Sequence, residues 1–325
     1  MSAFIYYLIF ILLFPVTLLG YIIWVGKGIL LGRGSGVSGT AQGPLSARWF
    51  QHQLGQRLDP AADKLLRTLP GIPPLGLKLV GGPMQLAHRA SGYVPKTFRY
   101  PYTGDVPPMD QASARVAFFD GVVEREVLHD PARSTQFVIL GAGFDTRAYA
   151  LPPDLRAQTF EVDTPQTQAV KRAALQSAGI DAEGISYVSA DFEHEDWLAK
   201  LTAAGFDPSR RALFLIEGVL VYLEREAVED TLRKIASTAR GSVVAFDYFT
   251  TDPLTSNGSY WRYARWATNQ AHEPLVFGID ATPPVRERLE EFLHSCGLIL
   301  REQRTLGTES ATERAWGGFA TAIVG

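Results

Sequence analysis

The 325-residue chain has one cysteine, three methionines and no charged side chain between Ala3 and Val25. A single thiol, Cys296, excludes an intrachain disulfide and leaves no cysteine pair for a thiolate zinc site. It sits in the apolar run Phe292-Leu293-His294-Ser295-Cys296-Gly297-Leu298, the setting of a buried structural thiol. No metal site is assigned. Excess positive charge is missing too: 31 Lys and Arg against 34 Asp and Glu give a net charge of −3. The basic footprint of a nucleic-acid-binding protein is therefore absent. The remaining composition, 46% hydrophobic and 20% charged, is ordinary for a chain that buries a core.

The uncharged stretch Ala3–Val25 reads AFIYYLIFILLFPVTLLGYIIWV. At about 1.5 Å per residue it covers a hydrocarbon core of about 30 Å. A cleaved signal peptide would carry a basic leader before a shorter apolar stretch, and a soluble core helix is rarely apolar on every face. The expectation is a membrane anchor over residues 1–26. Lys27, Arg33 and Arg48 follow the span and none precedes it. The positive-inside rule then puts the bulk of the chain in the cytoplasm, as a single-pass membrane protein.

Residues 27–110 are expected to form a linker and an N-terminal cap. Gly32–Gly39 has linker composition, and Ser46–Leu69 has helical spacing of apolar residues. Pro70–Pro108 is rich in Pro and Gly and reads as irregular. Gln111–Leu128 predicts a helix with Val116, Phe119, Val123 and Val127 on one face.

From Gln136 onward strands alternate with helices, which makes residues 111–325 the candidate catalytic domain. Strands are predicted at 137–140, 159–162, 185–190, 212–216, 242–246, 298–303 and 319–324. Helices are predicted at 166–178, 225–239 and 285–296. The alternation implies an α/β fold with a mostly parallel seven-stranded sheet and helices on both faces. Ligands of such sheets bind at the carboxyl ends of the strands.

Several residues at those ends carry chemistry. Leu140-Gly141-Ala142-Gly143-Phe144-Asp145-Thr146-Arg147 follows the first strand, and Gly141 and Gly143 allow a sharp turn and close backbone approach. The dinucleotide fingerprint needs a third glycine where Thr146 stands, which counts against NAD or FAD. A methionine-derived cofactor has no pyrophosphate to cradle. Asp163 ends the second strand, placed to accept from ribose hydroxyls, or else is a solvated strand-end acid. Asp191 and Phe192 end the third strand, as a partner for an adenine amine and ring or as a helix cap. Glu217 ends the fourth and would face cofactor or substrate.

The stretch from about Ser113 to Thr250 resembles the leucine carboxyl methyltransferase family and its bacterial relatives. Three motifs carry the likeness: FVILGAGFDTRAYAL, FEVDTPQTQAVKRAAL and SADFEHEDWLAKLTAAGFDPSRRALFLIEGVLVYL. The resemblance implies a Rossmann-like methyltransferase fold and S-adenosyl-L-methionine as methyl donor. It implies that Arg115 holds the cofactor's carboxylate, Gly141 belongs to the cofactor loop, Asp163 takes the ribose, Asp191 and Phe192 the adenine, and Glu217 lines the site. Arg48 is a candidate counterpart of a further basic residue contributed by the family's N-terminal helices.

The implied activity is O-methylation of a carboxylate or hydroxyl on a small-molecule or lipid-associated acceptor. Methylation of a protein C-terminal carboxylate and cofactor binding without catalysis are the alternatives. A hydroxyl acceptor would need a base, for which Tyr222, Asp247, Tyr248 and His272 are candidates; each also has a structural reading. Ser259–Gly278 contains Tyr260, Trp261, Arg262, Tyr263, Arg265 and Trp266, either an aromatic and cationic acceptor wall or an amphipathic surface helix.

Overall fold

The computed structural model describes residues 1–32, 40–129, 135–152, 157–310 and 313–325. The expected linker at Gly32–Gly39 therefore lies, beyond Gly32, outside the described residues.

The chain opens with α1 (Ser2–Gly32), α2 (Gln42–Gln53), α3 (Pro60–Thr68), α4 (Pro74–Ser91) and α5 (Gln111–Val123). Strands β1 (Gln136–Leu140) and β2 (Gln158–Asp163) follow, then α6 (Pro165–Ala178), β3 (Ile185–Ser189), α7 (Trp197–Ala203) and β4 (Ala212–Ile216). The remainder is α8 (Arg225–Ala236), β5 (Val243–Phe249), α9 (Asp252–Thr255), α10 (Ser259–Gln270), α11 (Val285–Ser295), β6 (Leu298–Leu306) and β7 (Gly317–Val324).

The seven strands form one sheet in the order β3-β2-β1-β4-β5-β7-β6. Neighbours from β3 to β5 are parallel, and β7 runs antiparallel to both β5 and β6. Successive side chains of a strand point to opposite faces, so each apolar strand feeds two cores. Val138, Leu140, Phe160, Phe214, Ile216 and Phe246 pack with Val228, Leu232, Leu289 and Leu293 from α8 and α11. Phe137, Ile139, Leu213, Leu215 and Ala245 pack with Phe119, Val122 and Val123 from α5 on the other face. The chain reverses its winding between β1 and β4, which opens a crevice at their carboxyl ends.

Two predicted elements need correction. Ser46–Leu69 is two helices: Gly55 at φ +64° turns the chain, and the Asp59 carboxylate caps α3 by accepting from the Ala62 N–H at 2.9 Å. Pro70–Pro108 is not wholly irregular, because it contains the 18-residue α4. Pro74 opens that helix, where its missing N–H costs nothing, and Gly92 closes it with φ 68°. Between them Leu77, Val80, Met84 and Ala87 recur on one buried face. The Pro and Gly content hid this period. The helix from Gln111 runs as α5 to Val123 and continues as a π-helical turn over Glu124–Leu128.

Helix α4 is covered by α1. The two run antiparallel: Tyr6 meets Tyr93, just past the end of α4, and Gly20 meets Gly76 near its start. A Cβ on Gly20 would lie 2.6 Å from the Leu79 Cβ and 2.9 Å from the Val80 nitrogen, so the glycine lets the two backbones touch. Part of α1 is open. Phe4, Ile11, Leu12, Leu19 and Ile22 are each more than half exposed. By length and composition the segment Ser2–Lys27 could cross a membrane.

Helices α2 to α4 share a core with α6 through Leu45, Trp49, Leu65, Leu66, Leu77, Phe144 and Leu175. Phe144 belongs to the glycine turn after β1. The cap is thereby seated directly on the crevice.

Candidate functional site

The turn after β1 is built for close approach. Gly141 has φ +67°, and a Cβ there would lie 2.3 Å from the Val219 side chain. No other residue fits without displacing the β4 loop. Asp163 at the tip of β2 fixes the same turn. Its Oδ2 accepts from the Gly143 N–H at 2.6 Å and its Oδ1 from the Thr164 N–H at 2.7 Å. Burial pushes the Asp163 carboxyl above its ordinary range, against those two amide bonds. Thr146, in place of a third glycine, donates to Asp59 Oδ2 at 2.9 Å and ties the turn to the start of α3.

Beneath the turn lies a charge network that the sequence reading did not anticipate. Arg48, on α2, has no exposed surface. Its Nη2 donates to Asp145 Oδ2 and to Glu217 Oε2, both at 2.9 Å. Arg147 donates through Nη1 to the same two oxygens, each at 2.5 Å, and through Nε to Asp120 Oδ1 at 2.7 Å. Arg57 donates to the other Asp120 oxygen at 2.6 Å. Burial alone would raise the Glu217 carboxyl; Arg147, Arg48 and Arg115 around it hold it below its usual range. Asp145 is depressed for the same reason, by Arg147 and Arg48. Arg48 was counted among the cations that follow the apolar N-terminal stretch, but it is paired here with Asp145 and Glu217.

Arg115, on α5, sits between two carboxylates. Its Nη1 donates to Asp247 Oδ2 at 2.9 Å and its Nε lies 3.3 Å from Glu217 Oε1. Asp247, on β5, also accepts the Gly218 N–H at 2.6 Å through Oδ1. A second buried pair supports the turn from behind: Lys171 Nζ lies 2.8 Å from Glu161 Oε2 and 3.5 Å from the Ala142 carbonyl.

Two adjoining cavities open at this end of the sheet. The first, about 250 Å³, is lined by Gly141, Gly143, Asp163, Phe192, Glu217, Arg115 and Arg48, with Thr40, Ala41 and Pro44 over it. The Thr40 N–H donates to Glu273 Oε2 at 2.9 Å, latching that strap across the opening. The second, about 210 Å³, is lined by Asp247, Tyr248, Phe249, Tyr260, Trp261, Ala264 and Thr268. Arg115, Gly218, Val219 and Tyr222 line both and form the wall between them.

The predicted site residues sort accordingly. Arg115, Gly141, Gly143, Asp163, Phe192 and Glu217 converge on the first cavity. Asp191 does not line it: its side chain is half exposed, and its Oδ1 accepts the Glu193 N–H at 2.9 Å in the turn after β3. Among the candidate bases, Tyr222 lines both cavities, and Asp247 and Tyr248 line the second. Burial pushes the Tyr222 phenol up to about 12. The Tyr248 hydroxyl accepts from Gln303 Nε2 at 2.6 Å. His272 is exposed, lines neither cavity and holds a positive φ of 60° just past α10. Tyr260 and Trp261 form an aromatic wall of the second cavity, but its cation is Arg115. Arg262 is exposed, and Arg265 donates to the Pro253 and Ser256 carbonyls at 2.5 and 2.7 Å.

Sequence reasoning missed Asp120, Asp145, Arg147 and Lys171. Asp145 and Arg147 lay inside the quoted glycine motif, and their alternation was the signal: a charged pair beside apolar residues at a strand tip.

The strand order with an antiparallel β7, the glycine turn and the acid at the tip of β2 define a Rossmann-like methyltransferase domain. The leucine carboxyl methyltransferase family matches residues 102–236. A candidate S-adenosyl-L-methionine-dependent methyltransferase of Saccharopolyspora erythraea is 32% identical over 217 residues, 66% of this chain and 68% of that protein. One from Mycolicibacterium vanbaalenii is 33% identical over 217 residues, 66% of this chain and 64% of its own length. A Frankia alni relative is 39% identical over 41% of this chain and 47% of itself. The chain thus spans between about half and two thirds of these relatives. Among solved structures, a DUF574 family protein from Streptomyces avermitilis aligns with TM-score 0.48 at 16% identity, covering 86% of this chain and 97% of that one. Magnesium protoporphyrin IX methyltransferase from Synechocystis, with bound S-adenosylhomocysteine, aligns with TM-score 0.42 at 12% identity, over 69% and 90%. The chain belongs to the leucine carboxyl methyltransferase family.

Proposed function

We propose that this protein is an S-adenosyl-L-methionine-dependent O-methyltransferase, anchored by α1, whose acceptor is a carboxylate or hydroxyl of a small or lipid-associated molecule. The observation that carries this reading is the convergence of Asp163, Glu217 and Arg115 on one cavity beside the Gly141 turn.

The residues present fit the cofactor. Asp163, turned by two backbone amides, offers the carboxylate edge that ribose hydroxyls need. Phe192 supplies an apolar face for the adenine. Arg48 Nε and Nη1 are buried and have no hydrogen-bond partner among the described residues, although Arg48 lines the cavity. Unpaired buried guanidinium donors are costly, and an amino-acid carboxylate would satisfy them. We assign that contact to Arg48 together with Arg115. The bound cofactor supplies a methyl group on a sulfonium, open to in-line displacement.

The protein's own part is alignment and exclusion of water. The strap at Thr40–Pro44 covers the first cavity, while Tyr260 and Trp261 wall the second. A carboxylate acceptor is already ionised at neutral pH and needs no base; Arg115 faces both cavities and would hold it. With its phenol pushed up to about 12, Tyr222 is a hydrogen-bond donor at neutral pH rather than a base.

Lys27 follows the apolar stretch and no cation precedes it, which supports a cytoplasmic catalytic domain. The test is incubation of the full chain with membrane extract and tritiated S-adenosyl-L-methionine. Base-labile label in the product supports a carboxyl ester, and base-stable label an ether. Binding of S-adenosylhomocysteine without turnover on any fraction would replace the enzyme by a cofactor-binding protein.

A further inference from the structure

The outer face of α10 is not explained by the site. Helix α10 has the sequence SYWRYARWATNQ, with two arginines and no acid. Trp261 points inward to the second cavity. Tyr263 and Trp266 do the opposite: they are 56% and 55% exposed and their rings lie together, centroids 5.8 Å apart. Two large aromatics turned to solvent with an exposed Arg262 beside them have the composition of a helix at a membrane surface.

This face is continuous with α1. Tyr263 stands beside Tyr21, which is half exposed on α1. Helix α10 also borders the second cavity. Tyr260, one turn before Tyr263, lines that cavity and donates to the Pro108 carbonyl at 3.1 Å. Met109, the next residue, is 77% exposed. An apolar rim therefore runs from α1 across α10 to the cavity mouth. A patch of this kind marks an interaction surface, and the uncharged stretch Ala3–Val25 of α1 at one end of it specifies hydrocarbon as the occupant.

We infer that α10 docks on the bilayer that holds α1, so that the mouth of the second cavity, between Tyr260 and Met109, opens at headgroup level and receives its acceptor from the membrane. The inference rests on the anchor reading of α1. Arg115 then meets the polar end of an amphiphile while Tyr260 and Trp261 enclose the start of its chain.

The experiment uses the full chain with Cys296→Ala, so that an added cysteine carries the only thiol. Trp266→Cys, Met109→Cys and, on the exposed side of α11, Glu291→Cys are each labelled with an environment-sensitive nitrobenzoxadiazole dye. Each protein is added to vesicles of equimolar phosphatidylcholine and phosphatidylglycerol, and flotation reports anchoring separately. The expected result is flotation of all three, with emission at 266 and 109 shifted to shorter wavelength and quenched by lipids brominated near the carbonyl. The dye at 291 keeps its aqueous emission. If the protein floats but 266 behaves like 291, docking of α10 is overturned. If 266 shifts and 109 does not, entry from the bilayer is overturned. If nothing floats, the anchor reading fails first and this inference with it.

Discussion

Arg48 and Glu217 lie 169 residues apart in sequence and share a hydrogen bond of 2.9 Å on the floor of the first cavity. One comes from α2, the first helix after α1, the other from the tip of β4. The contact fastens the N-terminal cap to the centre of the sheet. It also gives the cap a direct part in whatever the cavity binds.

Arg48→Gln should therefore cost both stability and affinity. It leaves Asp145 and Glu217 short of a buried partner, a change worth about 3–5 kcal/mol when a buried pair is broken. Chemical denaturation would show the first effect and calorimetry with S-adenosylhomocysteine the second. A variant as stable as the parent, with unchanged affinity, would remove Arg48 from the site.

Asp163→Ala should weaken S-adenosylhomocysteine by about 1–3 kcal/mol, the cost of hydrogen bonds lost from a charged group. The Gly143 amide also loses its acceptor, so the turn should loosen. Unchanged affinity by titration calorimetry would end the ribose assignment.

Gly141→Ala is a sterically defined test of the turn. Its Cβ would meet the Val219 side chain at 2.3 Å on a backbone with φ +67°. Overpacking and strain of this kind cost about 1–3 kcal/mol each, so the variant should melt earlier and bind the cofactor poorly. A melting temperature equal to the parent's would contradict the geometry.

The acid limb of the stability curve follows from Asp120. Burial would raise its carboxyl, but Arg147 and Arg57 hold it below its ordinary range. A depressed carboxyl stabilises the fold above its unfolded pKa of about 4 and loses that contribution as pH falls through the folded value. Asp120→Asn should destabilise by about 3–5 kcal/mol at pH 7, and the gap should narrow toward acid as the parent loses the same charge. Denaturation midpoints compared at neutral and acidic pH check this; a gap independent of pH would refute it. Asp163 and Glu161, raised by burial, act in the opposite sense and partly offset the parent's acid loss.

Deleting Met1–Gly26 should leave a folded protein that binds S-adenosylhomocysteine and no longer floats with vesicles. The deletion uncovers the α4 surface around Gly76 and removes Trp24 from the cap core, so some loss of stability is expected. An unfolded product, judged by circular dichroism, would make α1 a core helix instead of an anchor.

Much of the fold was legible in the sequence because period and punctuation survive without tertiary context. Seven short apolar runs became the seven strands, β4 with the same bounds. The glycine turn, Asp163 and Glu217 could be found because strand tips are where a doubly wound sheet presents its ligands. The cap was harder. In α4 the Pro and Gly content masked an apolar period that α1 and the cap core make sense of together. His272 was a candidate from its place near a strand end, but it lines neither cavity.

The sequence by itself determined the α/β class, the apolar N-terminal stretch and the residues at the strand tips, since each follows from local pattern. The tertiary structure decided the partners: which carboxylate each arginine faces, that Arg48 is buried in the site and that Asp191 turns away from it. Charges in a buried network are fixed by neighbours from distant segments. No local period encodes those distances.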